Sequence, residues 1–323
     1  MRLGRPQDWL IGAFLLLALV LAVAYTVGWT ALLAPWRELQ PVELLLLLAL
    51  SALSYFLRAV RVYDYFRPRL DGRFPSVLRL SILHNVANNL LPMRAGEMVF
   101  PWLMRRYFGH GFGKALASLV WIRLLDLHFL GLIGLLVLYL RDPGLVWPLM
   151  GMLWVGVLPM LIRAARSGWG GKGGMLGGLR SRFAGAAPAS RQLVARLYLW
   201  TALTWIAKFI AFALVLQHFL PLDLWQVLIG VLGAELSSVL PFHGIAGAGS
   251  YELAAVAALV PFGVSAQAAL AGAVNLHLFL LGVTLLIGLA ALLLSAPMLK
   301  TRNGSGTVMN EAWRRVSERS ESK

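Results

Sequence analysis

Asn88-Asn89-Leu90-Leu91-Pro92-Met93-Arg94-Ala95-Gly96-Glu97 and Ser237-Ser238-Val239-Leu240-Pro241-Phe242-His243-Gly244-Ile245-Ala246-Gly247-Ala248-Gly249-Ser250-Tyr251-Glu252 are two versions of one phrase. Each runs from small polar residues through Leu-Pro to a basic side chain, then to glycine and a glutamate, with mostly apolar residues on both sides. Proline and glycine inside an apolar run end one helix and let another begin. At membrane depth such a break frees backbone N–H and C=O groups, which is tolerated only where protein or a polar cavity satisfies them. Two broken helices facing each other are the setting in which transporters place their substrate. The two breaks therefore locate the candidate site.

Composition decides the solvent. With 59% hydrophobic and only 13% charged residues, the chain offers more apolar surface than one soluble core of 323 residues can bury. It reads as an all-α, polytopic membrane protein forming a single integral membrane domain over 1–323. Residues 9–34, 42–57, 124–140, 144–162, 197–220 and 266–296 approach or exceed the about 20 residues that cross a bilayer, giving about six full spans. The stretches 76–91, 97–108, 224–241 and 249–261 are shorter. They fall in two pairs, each joined by a Leu-Pro break, and read as two re-entrant hairpins, with full crossings as the alternative. The absence of cysteine removes disulfides, thiol nucleophiles and Cys-bound metals. Arg2 and Arg5 before an apolar run resemble a signal peptide, with Ala22-Val23-Ala24 as a cleavage site. The run continues to Ala34, too long for a typical signal, so an uncleaved first span is expected.

Orientation follows from the basic residues. With a cytoplasmic amino terminus, Arg2 and Arg5 fall inside, as do Arg58, Arg61, Arg67, Arg69, Arg73 and Arg79. Arg105, Arg106, Lys114, the basic residues of 164–196 and the tail after Lys300 fall on the same side, leaving only Arg37 and Arg141 outside. Both termini are then cytoplasmic by the positive-inside rule. The net charge of +15 is explained by this distribution and by anionic inner-leaflet lipids, so no nucleic-acid partner is implied. On this topology residues 9–140 and 144–296 form two inverted repeats, and their hairpins enter from opposite sides with tips meeting near mid-membrane. The Gly- and Arg-rich segment 164–196 reads as a flexible cytoplasmic loop whose glycines lack P-loop spacing. The tail 301–323 is polar, and Val308 to Arg319 has the pattern of a short basic surface helix.

Polar residues inside apolar runs are the candidate functional groups. Arg94 and Glu97 are three apart, as are Arg123 and Asp126, so each pair can neutralise itself on one helix face. The second pair reads as a structural clamp near the cytoplasmic end of its span. Arg94, beside a helix break, suits an anion such as a lipid phosphate. Glu97 and Glu252 open second half-helices, where a carboxylate caps free N–H groups or acts as a protonatable group. Glu235 needs a partner, for which Lys208 and His243 are the candidates. His243 takes the place of Arg94 in the second phrase. Asn88 and Asn89, with Asn85, are placed to bond the broken backbone. Trp9, Trp29, Trp36, Trp147, Trp200 and Trp225 fit interfacial belts. No metal-ligand spacing or catalytic motif occurs, so neither a metal, a cofactor nor an enzyme is expected.

Leu-Pro-Met-Arg-Ala-Gly-Glu at 91–97, the Arg-rich segment after it and Arg-x-x-Asp at 123–126 resemble the lysylphosphatidylglycerol synthase transmembrane-region family. Pro241 to Glu252 resembles that family's second signature, a proline followed by a glycine-rich turn and a glutamate, although His243 and the longer Ala246–Ser250 turn depart from its compact Pro-Gly-Gly-Ile-Gly run. The likeness covers roughly residues 10–295. It implies a flippase-like domain that moves a phospholipid or lipid-linked substrate between leaflets of a bacterial-type inner membrane, without the soluble aminoacyl-transferase domain. It also leaves room for a lipid synthase as partner. The rival readings are an intramembrane lipid-modifying enzyme and an accessory protein that binds a lipid synthase.

Overall fold

The computed structural model describes residues 6–70, 72–167, 174–238 and 244–293. Among these residues the regular structure is entirely helical. Helix α1 (Pro6–Thr26) leads through a turn at Gly28 into the short α2 (Trp29–Leu33), and α3 spans Pro41–Leu70. A first broken helix follows, made of α4 (Phe74–Leu90), a 3₁₀ segment (Pro92–Met98) and α5 (Val99–Phe108). Then come α6 (Phe112–Arg141), α7 (Val146–Arg166), α8 (Gly174–Ala186) and α9 (Arg191–Phe219). The second broken helix comprises α10 (Leu224–Ser237), a 3₁₀ turn (Ile245–Gly247) and α11 (Ser250–Leu259), and α12 (Ala266–Leu293) is the last described helix.

Seven helical stretches among the described residues are long and apolar enough to cross a membrane. Leu10 and Phe14 of α1, Leu45 of α3, Leu153 of α7, Ile206 of α9 and Leu285 of α12 are all exposed, the arrangement of a helix bundle solvated by lipid. The protein is a polytopic integral membrane protein. Six of the seven stretches correspond to the spans expected from composition. The seventh, Ile245–Phe262, is the second arm of the second broken helix; its α-helical part has 10 residues, about 15 Å of rise against about 30 Å of hydrocarbon.

Both broken helices fold back on themselves. In the second, a Cβ placed on Gly233 would stand 2.5 Å from the Ala258 Cβ and 2.7 Å from the Ala254 carbonyl, so α10 and α11 touch backbone to backbone. Gly230 faces Leu259 one turn further out, which makes the two arms antiparallel. Their outer ends meet again: Gln226 Nε2 donates to the Phe262 carbonyl at 3.1 Å, and the Arg141 guanidinium at the end of α6 lies over the Trp225 and Phe262 rings at 5.8 and 4.7 Å. In the first, His84 packs on Phe100 at 5.3 Å, and Ser76 and Arg79 share a crevice with Tyr107 and Phe108. That hairpin rests on Ala115 and Leu119, in the opening turns of α6. The hairpins thus open toward opposite ends of α6, and their turns touch each other and α1.

The tip of the first hairpin depends on a missing side chain. A Cβ at Gly96 would come within 2.3 Å of the Asn88 nitrogen, 2.4 Å of its Cα and 2.5 Å of the Ala87 carbonyl carbon, all of them backbone atoms. Gly96→Ala is expected to lower the melting temperature of the purified protein by roughly 5 °C through overpacking. An unchanged melting curve would show that the tip has more room than this packing allows.

Three sequence expectations are corrected. The first span ends at Thr26 instead of running on to Ala34, because Gly28 turns the chain with φ +83°. Helix α3 continues past residue 57 to Leu70, and α6 begins at Phe112 instead of 124. Arg58 and Arg61 therefore lie within a helix rather than in an interfacial cluster, and Arg123 with Asp126 lies deep within its helix rather than near its end. Charges mark a span's end only when they face water; here Arg61, Arg123 and Asp126 pair with one another, and Arg58 lies over the Trp205 ring. Segment 164–196 is not loop throughout: α8 packs on α6, with Phe183 stacked on Trp121 at 4.5 Å and its carbonyl accepting from Trp121 Nε1 at 2.9 Å. Residues 168–173 and the tail 301–323 lie outside the described residues.

Candidate functional site

Where the two hairpin turns meet, a polar chamber opens between α3, α6, α9, α10 and α12. Arg58, Asn88, Asn89, Arg123, Asp126, Lys208, Glu235, Ser238, Ala246 and His277 contribute to its wall. Ionisable groups at membrane depth neutralise one another before they do anything else. Their pairing shows what remains free.

Asp126 on α6 is the most heavily bonded group. Its Oδ1 accepts from Arg61 Nη1 at 2.6 Å and from Trp205 Nε1 at 3.0 Å; its Oδ2 accepts from Arg61 Nη2 at 3.4 Å and from Arg123 Nη1 at 3.3 Å. Arg61 Nη1 also donates to the Thr201 hydroxyl at 3.0 Å. The expected Arg123–Asp126 pair is present, but it is the weaker part of a clamp joining α3, α6 and α9. The other fork of Arg123 reaches Glu97 Oε1 at 2.6 Å, tying the first hairpin to α6. Glu235 on α10 is 2.5 Å from Lys208 Nζ on α9, one of its two expected partners. The Lys208 ammonium also lies 4.8 Å from the centroid of the Phe212 ring.

Arg58 differs from these. Among the described residues it has no ion pair and no hydrogen bond; its guanidinium lies 5.5 Å over the Trp205 ring, which holds one face and leaves the N–H edge open. Of the described side chains here, Arg58, Arg61, Arg123 and Lys208 face Glu97, Asp126 and Glu235, so Arg58 is the surplus cation. Polar atoms of the wall are left over as well: Asn88 Oδ1, Glu235 Oε1 and the Tyr251 hydroxyl are buried without a hydrogen-bond partner among the described residues.

The hairpin tips are tied differently from expectation. Asn89 Nδ2 donates to the Thr284 hydroxyl at 2.9 Å and to the Tyr55 hydroxyl at 3.3 Å, and Asn85 Nδ2 to the Ser81 carbonyl at 2.8 Å. The broken backbone of the first hairpin is met instead by His84 Nδ1, 3.2 Å from the Gly96 carbonyl. Glu252 does cap its half-helix, its Oε2 accepting from the Gly249 N–H at 2.8 Å. Its Oε1, however, lies 2.5 Å from Nδ1 of His277, which stands between it and the chamber. The side chain of Arg94 and the whole of His243, Leu240 and Pro241 lie outside the described residues.

Sequence reading passed over Arg58, Arg61, Trp205 and His277. For His277 the signal was available: it is the sole ionisable residue of the apolar helix Ala266–Leu293, and an ionisable group in such a helix is a site candidate by default. Arg58 and Arg61 carried no such mark, since arginines at the end of an apolar run look interfacial.

The fold is a lipid-solvated helix bundle with a charged chamber where two broken helices meet. No curated protein matches the chain in sequence. The family model for the lysylphosphatidylglycerol synthase TM region matches residues 9–288. Spanning most of the chain and both hairpins, that match makes the protein a member of the lysylphosphatidylglycerol synthase transmembrane-region family, a membrane domain linked to lipid handling.

Proposed function

We propose that the protein is a flippase-like transporter that moves a phospholipid or lipid-linked headgroup between leaflets, and is not an enzyme. The observation that carries this reading is the surplus cation Arg58, facing a chamber in which the carboxylates Asp126 and Glu235 are already paired. An unpaired guanidinium at that depth suits a phosphate, and the free acceptors on Asn88 and Glu235 suit the hydroxyl or amine of the same headgroup. Such a site suits binding, with Asp126 held by Arg61 and Arg123 and Glu235 held by Lys208. The antiparallel arms and opposite openings of the hairpins support two re-entrant helices in inverted repeats, 9–140 and 144–296, a transporter architecture. We place the protein in a bacterial-type inner membrane with both termini cytoplasmic, since with Arg58, Arg61, Arg123 and Lys208 inside the bundle most of the remaining basic residues still fall on one side, Arg37 and Arg141 being on the other. A lipid synthase is the partner class that the family points to.

The chamber, about 80 Å³, is well below the roughly 300–1,000 Å³ of ordinary ligand sites. A headgroup therefore enters only when the chamber widens. Purified protein in liposomes should exchange a headgroup-labelled phospholipid between leaflets faster than protein-free liposomes do. Equal rates sink the flippase reading. Appearance of a modified lipid instead would support the enzyme, and neither exchange nor product the accessory protein.

A further inference from the structure

The turn of the second hairpin is fastened by one histidine with two acceptors. His277 Nε2 is 2.9 Å from the Ala246 carbonyl, and Nδ1 is 2.5 Å from Glu252 Oε1. A carbonyl has no proton to give, so Nε2 carries one and donates it. The contact at Nδ1 then needs a second proton, on the ring or on the carboxyl. With that proton present both contacts are hydrogen bonds. Without it, a neutral imidazole has one N–H for two acceptors and must abandon one of them.

The bond abandoned is the one to Ala246, because a carboxylate is a stronger acceptor than a carbonyl. Ala246 has φ +53° and ψ +20°, the left-handed conformation that a residue with a Cβ rarely adopts and keeps only when its surroundings hold it. It also forms part of the chamber wall. Tyr251 stacks on the His277 ring at 4.5 Å, and Glu252 and His277 are both buried, so the proton is shielded from bulk water.

We propose that Glu252 and His277 form a proton-binding site whose occupancy fastens the Ala246 turn and whose emptying releases it. The site stands on this geometry; its use to time the widening of the chamber rests on the flippase reading. The other titratable or charged groups around it are Tyr251 on α11, Glu235 on α10 paired to Lys208 on α9, and Arg123 on α6 bonded to Glu97 and Asp126. Arg58 on α3 and His84 on α4 complete the described set. Helix α1, which touches the turn, has no ionisable side chain from Trp9 to Ala24, and α12 has none besides His277.

Hydrogen–deuterium exchange of the whole protein in lipid nanodiscs, from about pH 5 to pH 9 and corrected for intrinsic chemical rates, tests this. The amides of Gly247 and Ala248 should lose at least about tenfold in protection as pH rises, one pH-unit equivalent of a single proton. In Glu252→Gln the amide donates to Nδ1 while Nε2 keeps its proton on Ala246, so protection should stay high and flat. Protection in the wild-type protein that does not change with pH overturns the proposal, whatever the variant does. Lipid exchange in liposomes, measured over the same range, separates the two claims. Absence of exchange at every pH while the turn still titrates supports the proton site and sinks the flippase reading.

Discussion

Arg58→Ala should cut lipid exchange by roughly a hundredfold while shifting the melting temperature by no more than about 2 °C. A headgroup phosphate held by two charge-assisted bonds gains about 3 kcal/mol from them, and each 1.4 kcal/mol is a factor of ten. Stability is spared for a separate reason. Arg58 has no ion pair to lose among the described residues, only its contact with Trp205, and its removal relieves repulsion with the nearby cations Arg61, Arg123 and Lys208. Arg58→Lys, a point charge without the planar fork, should retain part of the rate. Exchange and melting measured on the same liposomes decide the matter. Normal exchange by Arg58→Ala, or failure accompanied by unfolding, removes Arg58 from the binding role.

Asp126→Ala should do the opposite, damaging the fold first. Arg61 is 2% exposed and would keep only the Thr201 hydroxyl as partner, and Trp205 would lose its acceptor. Stranding a buried charge in this way costs about 3–5 kcal/mol, enough to lower the melting temperature by roughly 10 °C or to prevent accumulation in the membrane. Arg123 is less affected because its other fork remains on Glu97. The double variant Arg61→Met, Asp126→Leu removes both charges and should recover most of the loss, since apolar replacement of a whole buried pair is often neutral. If the single variant melts within about 2 °C of the wild type, Asp126 is not the clamp that joins these helices.

Much of the fold was legible because it follows from local rules. Apolar runs of sufficient length marked the spans, and Leu-Pro followed by glycine and glutamate marked both breaks, with arms within a few residues of α4, α5, α10 and α11. The charged chamber was only half legible. Glu97, Lys208, Glu235, Asn88 and Asn89 were visible as polar residues in apolar surroundings. Arg58 and Arg61 were not, since a span read from composition stops at its first arginines, and the partner that draws Arg61 inward is 65 residues away. His277 meets Glu252 across a shorter gap of 25 residues. Tertiary pairing over such distances leaves no periodic trace, and α8 was hidden for a related reason: its glycines spoke for a loop until Trp121 supplied a surface for Phe183.

The cations exposed to the chamber stand on α3, α6 and α9, the helices that the Asp126 clamp locks together. The two hairpin turns that meet at the chamber are fastened in part by one histidine each, His84 and His277. On the flippase reading proposed above, selectivity and speed would then belong to different residues: a substitution on the frame should alter which headgroup is preferred, and one at a tip how often the door opens.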